Sequence, residues 1–178
     1  MTKKTAFLFV LLCILALGCI YAGGAVVVQA SPYALQVVNY NTGTYTSTYG
    51  FGFKAGYRQS ISREILIGGD VSFDMYKYNE LENRYLVIGF KGVGEYFHYF
   101  NKTIFLLCEL NAGLDIRKVG DFRDAYFALG AYIGLGYRFN KRIKARFGAD
   151  LGLAFQKGPE TKSTDFTVKP QLGVLITV

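Results

Sequence analysis

From about residue 25 to its end, the chain alternates with period two, and one side of the alternation is apolar while the other is glycine or charge. In residues 49–58, Tyr49, Phe51, Phe53, Ala55 and Tyr57 fall on one side and Gly50, Gly52, Lys54, Gly56 and Arg58 on the other. A pleated strand sends successive side chains to opposite faces, so the pattern reads as strand with two unlike surroundings. Ile65, Ile67, Val71, Phe73 and Met75 likewise oppose Gly68, Asp70, Ser72 and Asp74, and Leu86, Ile88, Phe90 and Tyr96 oppose Gly89, Lys91 and Glu95. Ile104, Leu106, Cys108, Leu110, Ala112 and Leu114 oppose Glu109, Asn111, Gly113 and Asp115. The pattern continues with Phe127, Leu129, Ile133, Leu135 and Tyr137 against Tyr126, Gly130, Tyr132, Gly134, Gly136 and Arg138. Ile143, Ala145, Phe147, Ala149, Leu151 and Leu153 face away from Lys144, Arg146, Gly148, Asp150 and Gly152. Such a chain folds as a sheet.

The last strand sets Phe166, Val168, Leu172, Val174, Ile176 and Val178 against Thr167, Lys169, Gln171, Gly173 and Thr177; Pro170, on the apolar side, suggests a local break in pairing. The first is the least regular: residues 25–38 contain Pro32 and alternate poorly, although residues 34–38 can pair. With it the strands number eight. Short connections at 59–63, 98–102 and 140–142 alternate with longer polar ones at 39–47, 77–84, 117–124 and 157–165. This describes an antiparallel up-and-down meander with its two kinds of loop at opposite ends.

The charges decide which face is inside. The apolar faces carry none. The glycine-rich face carries seven bases (Lys54, Arg58, Lys91, Arg138, Lys144, Arg146, Lys169) and six acids (Asp70, Asp74, Glu95, Glu109, Asp115, Asp150). A soluble exported barrel with an apolar cavity is the alternative, but its charged face would lie in water, where nothing requires so many of the chain's 21 glycines. In a small transmembrane barrel that face is the lumen, too narrow for large residues throughout, and glycines make room for interlocked opposite charges. Closure also satisfies every backbone donor and acceptor in hydrocarbon. Tyr49, Tyr57, Tyr85, Tyr96 and Tyr137, near segment ends, suit an interfacial girdle. The expected fold is therefore all-β, an eight-stranded antiparallel up-and-down transmembrane β-barrel preceded by a signal peptide.

That leader is residues 1–22: Lys3 and Lys4, an unbroken apolar run over 6–20, then Ala22, Gly23 and Gly24. Cleavage after Ala22 leaves 23–178 as the barrel domain; cleavage after Ala30, a lipidated Cys19 or an uncleaved helical anchor are the alternatives. Cleavage after Ala22 leaves Cys108 as the only cysteine, so no intrachain disulfide supports the exported domain. A hydrophobic share of 51% with 19% charged residues excludes disorder and coiled coil, and a net charge of +7 on an exported chain gives no case for a nucleic-acid partner.

No cofactor, metal or catalytic set is expected. The lone His98 falls in a short turn with no serine partner, Cys108 sits on the apolar face as a small hydrophobe, and His and Cys form no ligand cluster. Asp70 and Asp74 share a face, but strand rise sets them ~13 Å apart among bases, which suits salt bridges better than acid and base work. The glycines at 89–94 and 130–136 precede no helix, so they are not phosphate loops.

With its leader, dyad repeat, loop asymmetry and terminal alternation Leu172-Gly173-Val174-Leu175-Ile176-Thr177-Val178, the chain resembles the eight-stranded outer-membrane barrels of the OmpX, OmpW and OmpA transmembrane-domain families. It departs from their usual aromatic last residue at Val178. The resemblance implies a bacterial outer-membrane location, both termini in the periplasm, and recognition of the last strand by the assembly machinery. Two functions fit: a narrow conduit for small, including hydrophobic, solutes or a small porin, and a non-conducting structural or adhesive barrel whose loops bind host or environmental partners. Candidate contacts for the second are Tyr40, Asn41, Thr44 and Tyr45. Partners besides a solute or surface ligand are the outer-membrane lipid and that machinery.

Overall fold

The computed structural model describes residues 24–40, 45–78, 84–119, 122–157 and 162–178; the leader expected over 1–22 lies outside them. Eight strands form one closed barrel in sequence order: β1 (Ala25–Tyr40), β2 (Tyr45–Ser60), β3 (Ile65–Tyr78), β4 (Arg84–Tyr99), β5 (Ile104–Val119), β6 (Phe122–Arg138), β7 (Ile143–Lys157) and β8 (Lys162–Thr177). Every neighbouring pair is antiparallel, and β8 closes on β1. The apolar residues of the alternation face outward and stay exposed, with Phe51 at 56%, Leu110 at 71% and Phe147 at 62% of their surface accessible, while Arg58 and Arg146 inside are at 0% and 1%. Relative to a soluble protein the barrel is inside out.

The irregular strand has a specific cause. β1 pairs from Ala25 to Ser31 and again from Ala34, and its register slips between them against both β2 and β8. The bulge at Pro32 and Tyr33 inserts a residue and inverts the phase: Val27, Gln29 and Ser31 point inward before it, Ala34, Gln36 and Val38 after it. A single alternation drawn through 25–38 therefore fails. Pro170 lies across the same gap. Its pairing to β1 is interrupted, whereas Ala149 pairs with it on the β7 side without a break, so the break expected there affects one edge only.

The described parts of the expected long loops are strand. Asn39 pairs with Tyr45, Lys77 with Arg84, Val119 with Phe122 and Lys157 with Lys162. Residues such as Tyr45, Thr46 and Thr48 are polar yet strand-forming, and polarity alone does not end a ladder. At the opposite end the three connections share one design. Ser62, Asn101 and Asn140 stand at equal intervals along the chain, each at the second position of its turn. Asn101 Oδ1 accepts from the Thr103 and Ile104 amides at 2.8 and 2.7 Å, Asn140 Oδ1 from Arg142 and Ile143 at 2.8 and 2.9 Å, and Ser62 Oγ from Glu64 and Ile65 at 3.2 and 3.1 Å. Side chains of this kind hold a tight turn by replacing backbone partners. Asn140→Ala is expected to lower stability by about 1 kcal/mol, as a shift in the urea midpoint of the refolded protein, with no change in secondary structure.

Candidate functional site

Among the described residues, buried charge gathers in the lumen, which is filled in tiers. Nearest the short turns, Ala25, Val27, Phe97, Phe105, Leu107, Tyr132 and Leu175 form an apolar cluster. Lys144 lies over the rings of Phe97, Tyr99 and Phe105 at 4.7, 5.6 and 5.8 Å and donates to the Tyr99 hydroxyl at 3.0 Å. The cation is held by π faces and a hydroxyl rather than by a carboxylate.

Above this plug lies a cluster of three bases and three acids. The register sets Glu95 directly opposite Glu109 on adjacent strands, a like-charge pairing that repels. Two arginines clasp it. Arg146 donates to Glu95 and Glu109 at 2.9 Å each and to Gln29 Oε1 at 2.6 Å. Arg58 donates through Nε to Glu95 at 2.6 Å and grips Asp70 with two bonds of 2.6 and 2.9 Å. Lys54 completes the set at 2.8 Å from Glu109 and 3.5 Å from Asp70. Buried charges of this kind are tolerable only when balanced and hydrogen-bonded, and planar guanidinium groups suit such bridging; Glu95 Oε2 and Arg146 Nε are the cluster's charged-group atoms left without a partner.

Toward the long-loop end, Lys169 pairs with Asp74 at 2.6 Å and Lys91 with Asp115 at 3.4 Å, while Asp150 accepts from Gln171 at 3.1 Å. Last comes a clamp in which Arg117 pairs with Asp165 between the rings of Tyr85 and Tyr126, at 5.1 and 4.5 Å. Gln36 donates to the same aspartate at 2.7 Å and accepts from the Tyr85 hydroxyl. Two cavities, of about 20 and about 10 Å³, lie among these upper tiers, beside Asp74, Lys91 and Lys169. Each has room for about one water.

Of the thirteen charges placed on the inner face from sequence, ten take part in these ion pairs. Asp150 and Lys144 have the neutral partners given above. Arg138 stands at the turn end of β6, half-buried and in register with Lys144. Asp70 and Asp74 are separated, one on Arg58 and the other on Lys169. The pair Arg117–Asp165 was hidden because both residues fall in segments read as loops. Tyr85, expected in the outer girdle, is 1% exposed inside the barrel and stacks on Tyr76; with Gly89 and Lys91 inward, the phase of β4 requires it. His98 stands on the outer face of β4, edge-on to Phe100, and not in the turn. Cys108 is half-buried on the outer face. Tyr40 and Tyr45 end and begin strands, and their side chains, like Asn41 and Thr44, lie outside what the structure describes. Among the described residues no group of three metal-binding side chains converges.

The glycines serve rings as well as charges. A Cβ at Gly136 would strike the Phe105 ring, at Gly134 and Gly148 that of Tyr132, and at Gly50 that of Tyr76; at Gly52 and Gly56 it would meet Asp74 and Asp70.

No family model matches the chain, and no curated protein matches it. Among solved structures, the backbone is similar to Neisserial surface protein A, at a TM-score of 0.62 and 15% identity over 88% of this chain and 97% of that one. It is also similar to the outer membrane protein OprG from Pseudomonas aeruginosa, at a TM-score of 0.50 and 10% identity over 88% of this chain and 98% of that one. The fold is that of the eight-stranded outer-membrane β-barrels.

Proposed function

We propose that this chain is an outer-membrane barrel protein with a shut lumen, which acts through the surface it presents rather than by passing solutes. The outer wall supports the membrane location. On β5 the outward residues from Ile104 to Ile116 are apolar throughout, about 40 Å along the strand or about 30 Å of height at a tilt of ~40°, close to the hydrocarbon thickness of a bilayer. Tyr57, Tyr96 and Tyr137 flank that band at its turn end. Export by the leader and recognition of β8 by the assembly machinery belong to the same reading.

The observation that carries the closed state is the stacking of plug, ion cluster and clamp across one narrow bore. A conduit would need a continuous wet or apolar path. The six-charge cluster blocks the first, since displacing Arg146 exposes two facing glutamates, and its charge blocks the second. What remains for interaction is the long-loop rim, to which the sequence assigns Tyr40, Asn41, Thr44 and Tyr45, and where an adhesive or structural role fits best.

The test is to refold the mature chain in detergent and insert it in a planar bilayer, following heat-modifiable gel mobility and single-channel current together. A mobility shift without discrete steps is expected. Steps at ordinary voltages would make the protein a narrow conduit, and no shift at all would return it to a soluble barrel.

A further inference from the structure

Three hairpins in succession end in the same way. Lys77 pairs with Arg84 across β3–β4, Lys118 with Arg123 across β5–β6, and Lys157 with Lys162 across β7–β8. Lys77, Arg84, Lys118 and Arg123 are on the outward phase of their strands at the long-loop end. Lys77, Arg84, Lys118 and Arg123 are exposed, and among the described residues none of these four makes an ion pair. Of Lys157 and Lys162 only the register is described. Directly opposed like charges repel across a ladder, with Cβ atoms about 5 Å apart, and nothing in strand geometry calls for them. The remaining hairpin, β1–β2, sets uncharged Asn39 against Tyr45 at the same level.

The position of these pairs gives them a purpose. Each basic residue of the first two follows or precedes the last outward apolar side chain of its strand: Met75 before Lys77, Leu86 after Arg84, Ile116 before Lys118 and Ala125 after Arg123. On the reading that the apolar wall lies in a bilayer, that level is the headgroup plane. We propose that this arc is a docking site for the phosphorylated headgroups of the lipid leaflet at the long-loop end, each opposed pair of bases sharing one phosphate. Two cations separated by one strand spacing form a pincer for a tetrahedral dianion, and the anion removes the repulsion. The opposite end has Arg63, Lys102, Lys141 and Arg142 in the turns themselves, and its one opposed pair of bases among the described residues, Arg138 with Lys144, is on the inner phase and not on the outer wall. Because the first two pairs point outward from the wall and not over the mouth, the source is lipid and not a soluble polyanion.

The experiment compares unfolding in vesicles of phosphatidylcholine with vesicles that also contain lipid A, a phosphorylated glycolipid, for the wild type, for K77Q/R84Q/K118Q/R123Q and for the charge-keeping K77R/K118R. Lipid A is expected to lower the unfolding equilibrium constant of the wild type by roughly fivefold per engaged base, and high salt to remove the gain. The arginine variant keeps the gain, and the glutamine variant loses it while unfolding like the wild type in phosphatidylcholine. Equal responses of wild type and glutamine variant to lipid A would overturn the assignment; neutralisation by the hairpins' own acids, Glu80, Glu82, Asp121 and Glu160, would give that result. So would a full effect of inorganic phosphate in neutral vesicles, which would make the ligand a free anion. Failure to give a heat-modifiable band in either vesicle would overturn the membrane reading itself.

Discussion

Arg146→Leu should cost about 3–5 kcal/mol of stability, read from urea unfolding of the protein refolded in lipid vesicles. The guanidinium is 1% exposed and is the shared partner of Glu95, Glu109 and Gln29. Without it, three buried acids face two bases, and the two glutamates that the β4–β5 register sets opposite each other are left with Arg58 and Lys54. The penalty is mostly that of an uncompensated buried charge rather than of lost bonds. Removing one glutamate as well, in Arg146→Leu with Glu109→Leu, restores the balance with Arg58, Lys54, Glu95 and Asp70 in place, and should recover most of the loss. Glu109→Leu alone leaves an excess of positive charge and should cost a comparable amount, so the two single effects are strongly non-additive. Additive losses would mean that the six groups do not act as one cluster. Backbone pairing around the barrel is independent of this lumen, so far-ultraviolet circular dichroism of the folded fraction should not change.

The same residues show how far a sequence of this kind can be read. Period two fixed the inner and outer faces of β2 to β7, because each strand has one apolar outer face and one crowded polar inner face, and a slip by one residue would invert every side chain. Where the phase itself changes, at Pro32 and Tyr33, alternation could not report it; a bulge is a backbone event with no side-chain period. Strand ends were hidden for a related reason. Segments rich in tyrosine, threonine and charge look like loops by polarity, yet their register continues to Lys77 and past Arg117. That error removed Arg117 and Asp165 from the inner face. Phe97, Phe105 and Leu107 were legible in principle, since they share the odd phase of Glu95 and Glu109, but an expectation of a polar lumen works against assigning apolar residues to it. Which acid meets which base was beyond reach: Arg146 and Glu95 lie on β7 and β4, across the bore, and no spacing along the chain encodes that distance.

The apolar plug gives the second large effect, because its rings are fitted to glycines on neighbouring strands. Gly136 lies beside Phe105 in register, and a Cβ there would overlap three atoms of a ring that is 1% exposed and packed against Phe97 and Tyr99. Phe105 cannot move outward, since the wall is a closed ladder, and its inner side is occupied by Phe97, Tyr99 and the ammonium of Lys144, 5.8 Å from its ring centre. Gly136→Leu should therefore destabilise the barrel by about 3 kcal/mol or prevent its refolding, the upper part of the usual range for overpacking a rigid core. Exchanging the sizes, in Gly136→Leu with Phe105→Ala, returns the lost volume from the opposite strand and should recover the folded, heat-modifiable form. Phe105→Ala alone leaves a cavity and should cost about 3–5 kcal/mol. The double variant then lies above both single ones, an order that general loss of hydrophobicity cannot produce. If the double variant were the least stable, Gly136 would be required for the backbone itself and not for the ring that occupies its place.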